Sequence, residues 1–284
     1  MKNNLALITG GTRGLGAHLV KRFWLGGFSL AVVAREGAGI RAVLDALPKR
    51  DSQEYFALPC DMGSPDQVAA LVERIKKDFP EIGVLVNNAA VQGPIGPVWE
   101  NDYSAWHQTL QVDLLAPVAL CRGLINLMKS NGGGSIINLS GGGATGPRAN
   151  FSAYATAKAA LVRFSETIAE ELKTSGIRVN CIAPGAMKTE MLAEVLRTGN
   201  ISGDREQALA RKVFEDGGAS MDRVADLALF LASDASKGIT GKLISAVWDD
   251  WEHWPEHVSE LESSDAYTLR RITGRDRGFA WGDK

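Results

Sequence analysis

Apolar residues fall into seven short runs separated by longer amphipathic stretches. Residues 5–9, 30–34, 55–58, 84–87, 135–139, 178–182 and 243–247 have strand length and mostly apolar character. Continuous apolar runs of that length suit strands buried on both faces. Segments of helical length lie between them, at 14–25, 37–47, 65–78, 102–130, 152–174 and 222–234. Ser64 followed by Pro65 is a cap and first-turn pair for the third of these. Strands alternating with helices predict right-handed βαβ units, and so an α/β fold with a doubly wound parallel sheet of about seven strands and helices on both faces. Residues 186–220 break the rhythm, where Gly199, Gly203 and Gly217-Gly218 punctuate short helical pieces. Long connections at the carboxyl ends of strands commonly carry ligand loops.

Composition narrows the function classes. The chain has 284 residues, 45% hydrophobic and 23% charged, with a formal net charge of −2. That is enough apolar surface for a core, and it leaves no basic footprint for nucleic acid. Cys60, Cys121 and Cys181 contain no CxxC pair and read as buried thiols of a reducing compartment. The first apolar run is too short for a leader, and Gly10-Gly11 interrupts it. No run reaches the roughly 18 apolar residues of a membrane span, so a cytoplasmic protein without membrane contact is expected. The last 37 residues differ: they hold four of the seven Trp, nine acidic and five basic side chains. The expected organisation is a main domain over 1–247 and a Trp-rich acidic extension over 248–284 that packs on that domain or on a partner subunit.

The first strand runs into Thr9-Gly10-Gly11-Thr12-Arg13-Gly14-Leu15-Gly16, which opens the first helix. Glycines there allow a tight turn and bring backbone close to a pyrophosphate at a helix N-terminus. The spacing resembles the TGxxxGxG turn of the short-chain dehydrogenase/reductase family. The likeness continues in order with Asp61, Asn87-Asn88-Ala89-Ala90 in place of NNAG, Tyr154-x3-Lys158 as YxxxK, Pro184-Gly185 with Thr189 after it, and Ile239-Thr240-Gly241. It covers about residues 3–247 and implies a Rossmann-type catalytic domain. It also implies a nicotinamide cofactor held by Gly10, Thr12, Arg13, Gly14, Leu15, Gly16, Arg35, Asp61, Met62, Asn88, Ala89, Tyr154, Lys158, Pro184, Gly185 and Thr189. Asn87 would help shape the nicotinamide side. Family members are commonly dimers or tetramers, so a homodimer or homotetramer is expected.

The end of the second strand chooses the cofactor. Acid there would bond the ribose 2′-OH, whereas arginine accepts a 2′-phosphate. The strand ends Val33-Ala34-Arg35, with Ala34 where NAD-preferring relatives commonly carry Asp, and Arg13 sits in the glycine turn. Two guanidiniums predict NADP(H) over NAD(H).

Tyr154 and Lys158 are i and i+4, on one face of a helix. A phenol with a pKa near ~10 needs help to serve as an acid or base at neutral pH, and a nearby ammonium supplies it. In the family the Tyr exchanges a proton with the substrate oxygen. Two positions depart from the family. Gly141 stands 13 residues before Tyr154, where Ser is usual; Ser140, Ser152 or the backbone of Gly141–Gly143 would have to polarise the substrate oxygen. Asp113 stands where Asn is usual, and its carboxylate would either pair with Lys158 or meet substrate. The catalytic set is therefore Tyr154, Lys158, Ser140 and Asp113, with no metal. Residues 91–99, 144–152 and 186–220 should rim the cleft, with Trp99, Phe151, Met187 and Met191 as candidates to line it.

The expected function is hydride transfer between NADP(H) and the carbonyl or alcohol of a small-molecule substrate. The alternatives are an NADP(H)-dependent epimerase or dehydratase of a sugar-like substrate, or a non-catalytic NADP(H)-binding sensor or scaffold.

Overall fold

The computed structural model describes residues 5–281. Seven strands make one parallel sheet in the order β3-β2-β1-β4-β5-β6-β7. They are β1 (Leu5–Thr9), β2 (Ser29–Ala34), β3 (Tyr55–Pro59), β4 (Val84–Asn87), β5 (Gly134–Leu139), β6 (Ile177–Ala183) and β7 (Leu243–Ser245). Successive side chains of a strand enter opposite faces. Ala6 and Ile8 of β1 accordingly join one core, with Leu19 and Phe23 of α1 (Gly14–Leu25), Ile40 and Leu44 of α2 (Gly37–Asp45) and Leu227 and Leu231 of α9 (Met221–Ala232). Leu5 and Leu7 join the other, with Val68 and Ile75 of α3 (Pro65–Asp78), Leu120 and Leu124 of α5 (Ala116–Ser130) and Ile168 of α6 (Ser152–Glu171). Burial on both sides explains why the strands read as continuous apolar runs. The strand order reverses between β1 and β4, the switch point at whose carboxyl ends a doubly wound sheet has its crevice.

Three details refine the expected elements. Ser64 caps α3 by accepting from the Gln67 N–H, with Pro65 in the first turn. The expected helix over 102–130 is three pieces: α4 (Tyr103–Leu110), a π-helical turn at Gln111–Leu115, and α5. By length and composition this run does reach what a membrane crossing requires, which corrects the reading by apolar run length. Its apolar positions Ala116, Leu120, Cys121, Leu124 and Met128 are spent on the core. The interval 186–220 folds into α7 (Glu190–Arg197) and α8 (Asp204–Asp216).

After β7 the chain makes a 3-10 segment, Trp251–His257, and α10 (Val258–Ser263). Trp251, Trp254 and Leu261 are buried in the same core as α1 and α9. The Trp251 ring lies 5.3 Å from that of Phe230, with the Arg223 guanidinium over it. The Leu243 N–H donates to the Tyr267 carbonyl at 2.8 Å, and Lys242 Nζ donates to the carbonyls of Ser264 and Ala266. Residues 264–267 thus lie along the outer side of β7. Trp248 and Trp281 remain exposed. Truncating a buried aromatic leaves a cavity as well as lost transfer energy, so Trp251→Ala should cost about 3–5 kcal/mol in a denaturant titration. An unchanged midpoint would mean that this segment contributes nothing to the core.

Candidate active site

The crevice is built on Thr9 and Asn88. Asn88 Nδ2 donates to the carbonyls of Thr9 (2.9 Å) and Gly10 (3.2 Å), and Thr9 Oγ1 accepts from the N–H groups of Asn88 and Ala89, both at 3.0 Å. The glycine turn leaves no room for a side chain at Gly10, Gly11 or Gly16. A Cβ on Gly16 would lie 1.9 Å from the Gly10 carbonyl oxygen, and Gly10 itself has φ +68°. Arg13 occupies the N-cap position of α1 but caps it with no side-chain bond, which leaves the first N–H groups of the helix open. Thr189 caps α7 and reaches the same place, its Cγ2 3.8 Å from where a Gly14 Cβ would sit. Thr12 borders the first turn of α2 at Gly39. An open helix N-terminus beside a close-packed glycine turn suits a pyrophosphate.

The other expected cofactor positions gather along the carboxyl ends of the strands. Arg35 follows β2 directly; it and Arg13 are exposed, and neither makes an ion pair among the described residues. Asp61 follows β3, its Oδ1 accepting from the Gly63 N–H at 2.9 Å; Met62 beside it is buried. Leu15 is buried under the turn. Pro184 and Gly185 follow β6, and Gly185 has φ +78° against Val247 and Ala219. Asn87 belongs to a buried polar chain: its Nδ2 donates to Asn138 Oδ1 at 2.7 Å, and Asn138 Nδ2 donates to Ser165 Oγ at 2.7 Å.

Tyr154 and Lys158 are both buried on α6, with Lys158 Nζ 5.6 Å from the phenol ring centroid. Lys158 Nζ donates to the Leu139 carbonyl at 3.0 Å and lies 3.3 Å from Asp113 Oδ2. Asp113 sits in the π-helical turn and is wholly buried; its Oδ1 accepts from the Val91 N–H at 2.8 Å. Of the two roles open to this carboxylate, the structure places it on Lys158. Burial pushes the Asp113 carboxyl up, against the pull of the Lys158 ammonium. Burial opposes the Lys158 charge, yet Asp113 and Tyr154 hold its pKa above the ordinary lysine value. Burial also pushes the Tyr154 phenol up; Lys158 pulls it down, Asp113 pushes it up again and Arg148 pulls it down. The ammonium expected to lower the phenol is thus outweighed by burial and by its own partner, and the phenol stands above its ordinary value. The three cysteines are buried, and desolvation pushes Cys60 to about 11 and both Cys121 and Cys181 to about 12, so none is a poised nucleophile.

Gly141 is where the phenol sits: a Cβ there would come within 2.2 Å of Tyr154 Oη. Ser140 Oγ is sealed in the wall and has no hydrogen-bond partner among the described residues. Ser152 Oγ accepts from Trp106 Nε1 at 3.1 Å. The N–H groups of Gly141, Gly142 and Gly143 donate to nothing among the described residues. Phe151 does not line a cleft; it is fully buried with Val195 of α7 and Ala210 of α8. Trp99 is exposed, while Met187 is partly buried against the core and Met191 is half-buried.

Arg148 was not anticipated. Its guanidinium stacks 3.7 Å over Phe151 and 5.8 Å from the Tyr154 ring, and its Nε and Nη2 both bond Glu206 Oε2 of α8, at 3.0 and 2.7 Å. It ties the loop before α6 to α8. The two residues are 58 positions apart with no motif between them, so only the fold pairs them.

The family model for short chain dehydrogenases matches residues 4–199. A cis-4-hydroxycyclohexanecarboxylate dehydrogenase of Sinomonas cyclohexanicum is 32% identical over 85% of this chain and 94% of its own. Among solved structures, an L-sorbose reductase from Gluconobacter frateurii, complexed with NADPH and L-sorbose, is 27% identical with a TM-score of 0.75, covering 86% of this chain and 95% of its own. A 3-ketoacyl-(acyl-carrier-protein) reductase from Brucella melitensis, complexed with NADH, is 27% identical with a TM-score of 0.74, covering 86% and 96%.

Filling the space at Gly141 must displace the phenol. Overpacking of this kind typically costs about 1–3 kcal/mol, so Gly141→Ala should lower the unfolding midpoint accordingly. Restoration of the midpoint by adding Tyr154→Phe, which removes the hydroxyl in contact, would confirm the source of the strain; an unaltered midpoint in the single variant would contradict the contact.

Proposed function

The chain belongs to the short-chain dehydrogenase/reductase family, and from that premise we propose that it is an NADP(H)-dependent oxidoreductase acting on the carbonyl or alcohol of a small molecule. The observation that carries the reading is the buried Tyr154–Lys158 pair on α6, set at the crevice beside three glycines with undirected N–H groups. In this reading residues 1–247 form the catalytic domain and 248–284 an extension, whose Trp251, Trp254 and Leu261 pack upon it. Gly10, Thr12, Gly14, Leu15 and Gly16 would hold the pyrophosphate, Asp61 and Met62 the adenine side, and Asn88, Ala89, Pro184, Gly185 and Thr189 the nicotinamide half. When bound, the nicotinamide supplies or accepts the hydride. Tyr154 Oη gives its proton to the substrate oxygen in reduction and takes it back in oxidation. Lys158 favours the phenolate by charge, and the Gly141–Gly143 N–H groups polarise the substrate oxygen in place of the usual serine. Ser140, with its Oγ sealed in the wall, supports that backbone. Assembly into two or four copies belongs to the same proposal, and the exposed side chains of Val98, Trp99 and Tyr103 offer apolar surface for it.

The choice of NADP(H) rests on Arg13 and Arg35, exposed and without an ion-pair partner among the described residues. A charge-assisted contact to a 2′-phosphate is worth roughly 1.5–3 kcal/mol, or ten-fold and more in affinity. Arg35→Ala should therefore raise the KM for NADPH about ten-fold or more while leaving that for NADH nearly unchanged. A wild-type preference for NADH would overturn the assignment. A panel of carbonyls and alcohols followed at the nicotinamide absorbance tests the reaction itself. Tyr154→Phe should abolish turnover, by about 10²-fold or more, without weakening NADPH binding. Tight NADPH binding with no turnover on any substrate would favour the non-catalytic reading.

A further inference from the structure

We propose that Asp113 is a positioning residue for the Tyr154 proton: its carboxylate anchors Lys158 and raises the pH at which the Tyr154–Lys158 pair first releases a proton. The proposal deepens the oxidoreductase reading and rests on it for its kinetic consequence alone. Three elements meet at this carboxylate. The π-helical turn Gln111–Leu115 carries it, the Val91 N–H of the segment after β4 bonds Oδ1, and Lys158 Nζ of α6 faces Oδ2 at 3.3 Å. Lys158 Nζ is thereby held between Asp113 and the Leu139 carbonyl. An anion beside a coupled acid pair makes every proton harder to remove, and the step belongs to the pair rather than to either residue.

Among the described groups near the pair, the Arg148 guanidinium opposes Asp113 at the phenol. Arg148, from the loop before α6, is already engaged by Glu206 of α8. Cys181 of β6 is a neutral thiol, held up to about 12 by burial. Glu166, further along α6, is turned to Arg163, Arg270 and the Leu269 N–H. Within the crevice wall the balance therefore lies between Lys158 and Asp113. The consequence is an enzyme whose proton donor stays loaded in mildly alkaline solution, which favours reduction of a carbonyl.

The test uses the full chain without cofactor, labelled with 13C at tyrosine Cζ and lysine Cε. The two resonances are assigned with Tyr154→Phe and Lys158→Met. In Asp113→Asn, which keeps an acceptor for the Val91 N–H, the first proton should leave the pair at least about one pH unit earlier than in the wild type, whichever residue it leaves. Superimposable titrations of the two chains overturn the proposal. If the amide variant fails to fold, Asp113→Ser takes its place under the same readout: an earlier first proton loss supports the proposal, and an unshifted one overturns it. The alkaline limb of the reductive kcat/KM profile should move down by a similar amount in Asp113→Asn. A shifted titration in a chain that reduces no carbonyl would sink the oxidoreductase reading and leave the role of Asp113 in place.

Discussion

The site depends on the clasp between Asn88 and the glycine turn. β1 and β4 pair in the sheet as far as Ile8 and Val86, and beyond that register other bonds must hold their ends together. The Asn88 side chain and the Thr9 hydroxyl do so with four hydrogen bonds of 2.9 to 3.2 Å. Because these groups are partly buried, losing a partner would strand polar atoms at the crevice, a cost of about 1–3 kcal/mol each. The clasp also sets the approach of Gly16 to the Gly10 carbonyl, where no side chain fits.

A second constraint is electrostatic. Asp113 and Lys158 are almost completely removed from water, and a buried ion pair of this kind returns little net stability. Removing one partner is another matter, since it leaves an uncompensated charge and typically costs 3–5 kcal/mol, on the order of half of a small domain's stability. The pair is thus better understood as fixing geometry than as adding stability. It joins the segment after β4, the π-helical turn and α6 at one point, beneath the phenol. The π turn is what aims Asp113 inward: one extra residue in a helical turn re-registers the side chains around it.

Much of this was legible in the chain. Buried parallel strands advertise themselves as continuous apolar runs, and the boundaries of β1 and β4 coincide with theirs. Tyr154 and Lys158 share a helical face by spacing alone. The π turn left no trace, because Gln111–Leu115 is as apolar and as helix-prone as its flanks. Asp113 stood out as a departure, but whether it would meet lysine or substrate depended on a contact 45 residues away. Gly141 likewise read as a missing serine, whereas in the fold it is the space that the Tyr154 hydroxyl occupies. Phe151 looked like a cleft residue because it sits in a loop of the rim; its burial under α7 and α8 comes from elements that follow it by 40 to 60 residues.

The pairing of charges also bears on what the crevice selects. Arg148 is nearly enclosed and bonded twice to one oxygen of Glu206, and Lys158 is matched by Asp113. Around Tyr154 the wall is therefore close to neutral, with the bare backbone of Gly141–Gly143 as its other feature. A neutral, low-dielectric wall discriminates by shape and hydrogen bonding rather than by attraction to charge, since an ionic group entering it would lose hydration without finding a free counter-ion. At the far end of the crevice the situation is reversed: Arg13 and Arg35 are exposed and make no ion pair among the described residues. In the proposed reading, charge recognition thus falls to the cofactor end, and the substrate end is left to an uncharged carbonyl or alcohol held by backbone N–H groups and a phenol.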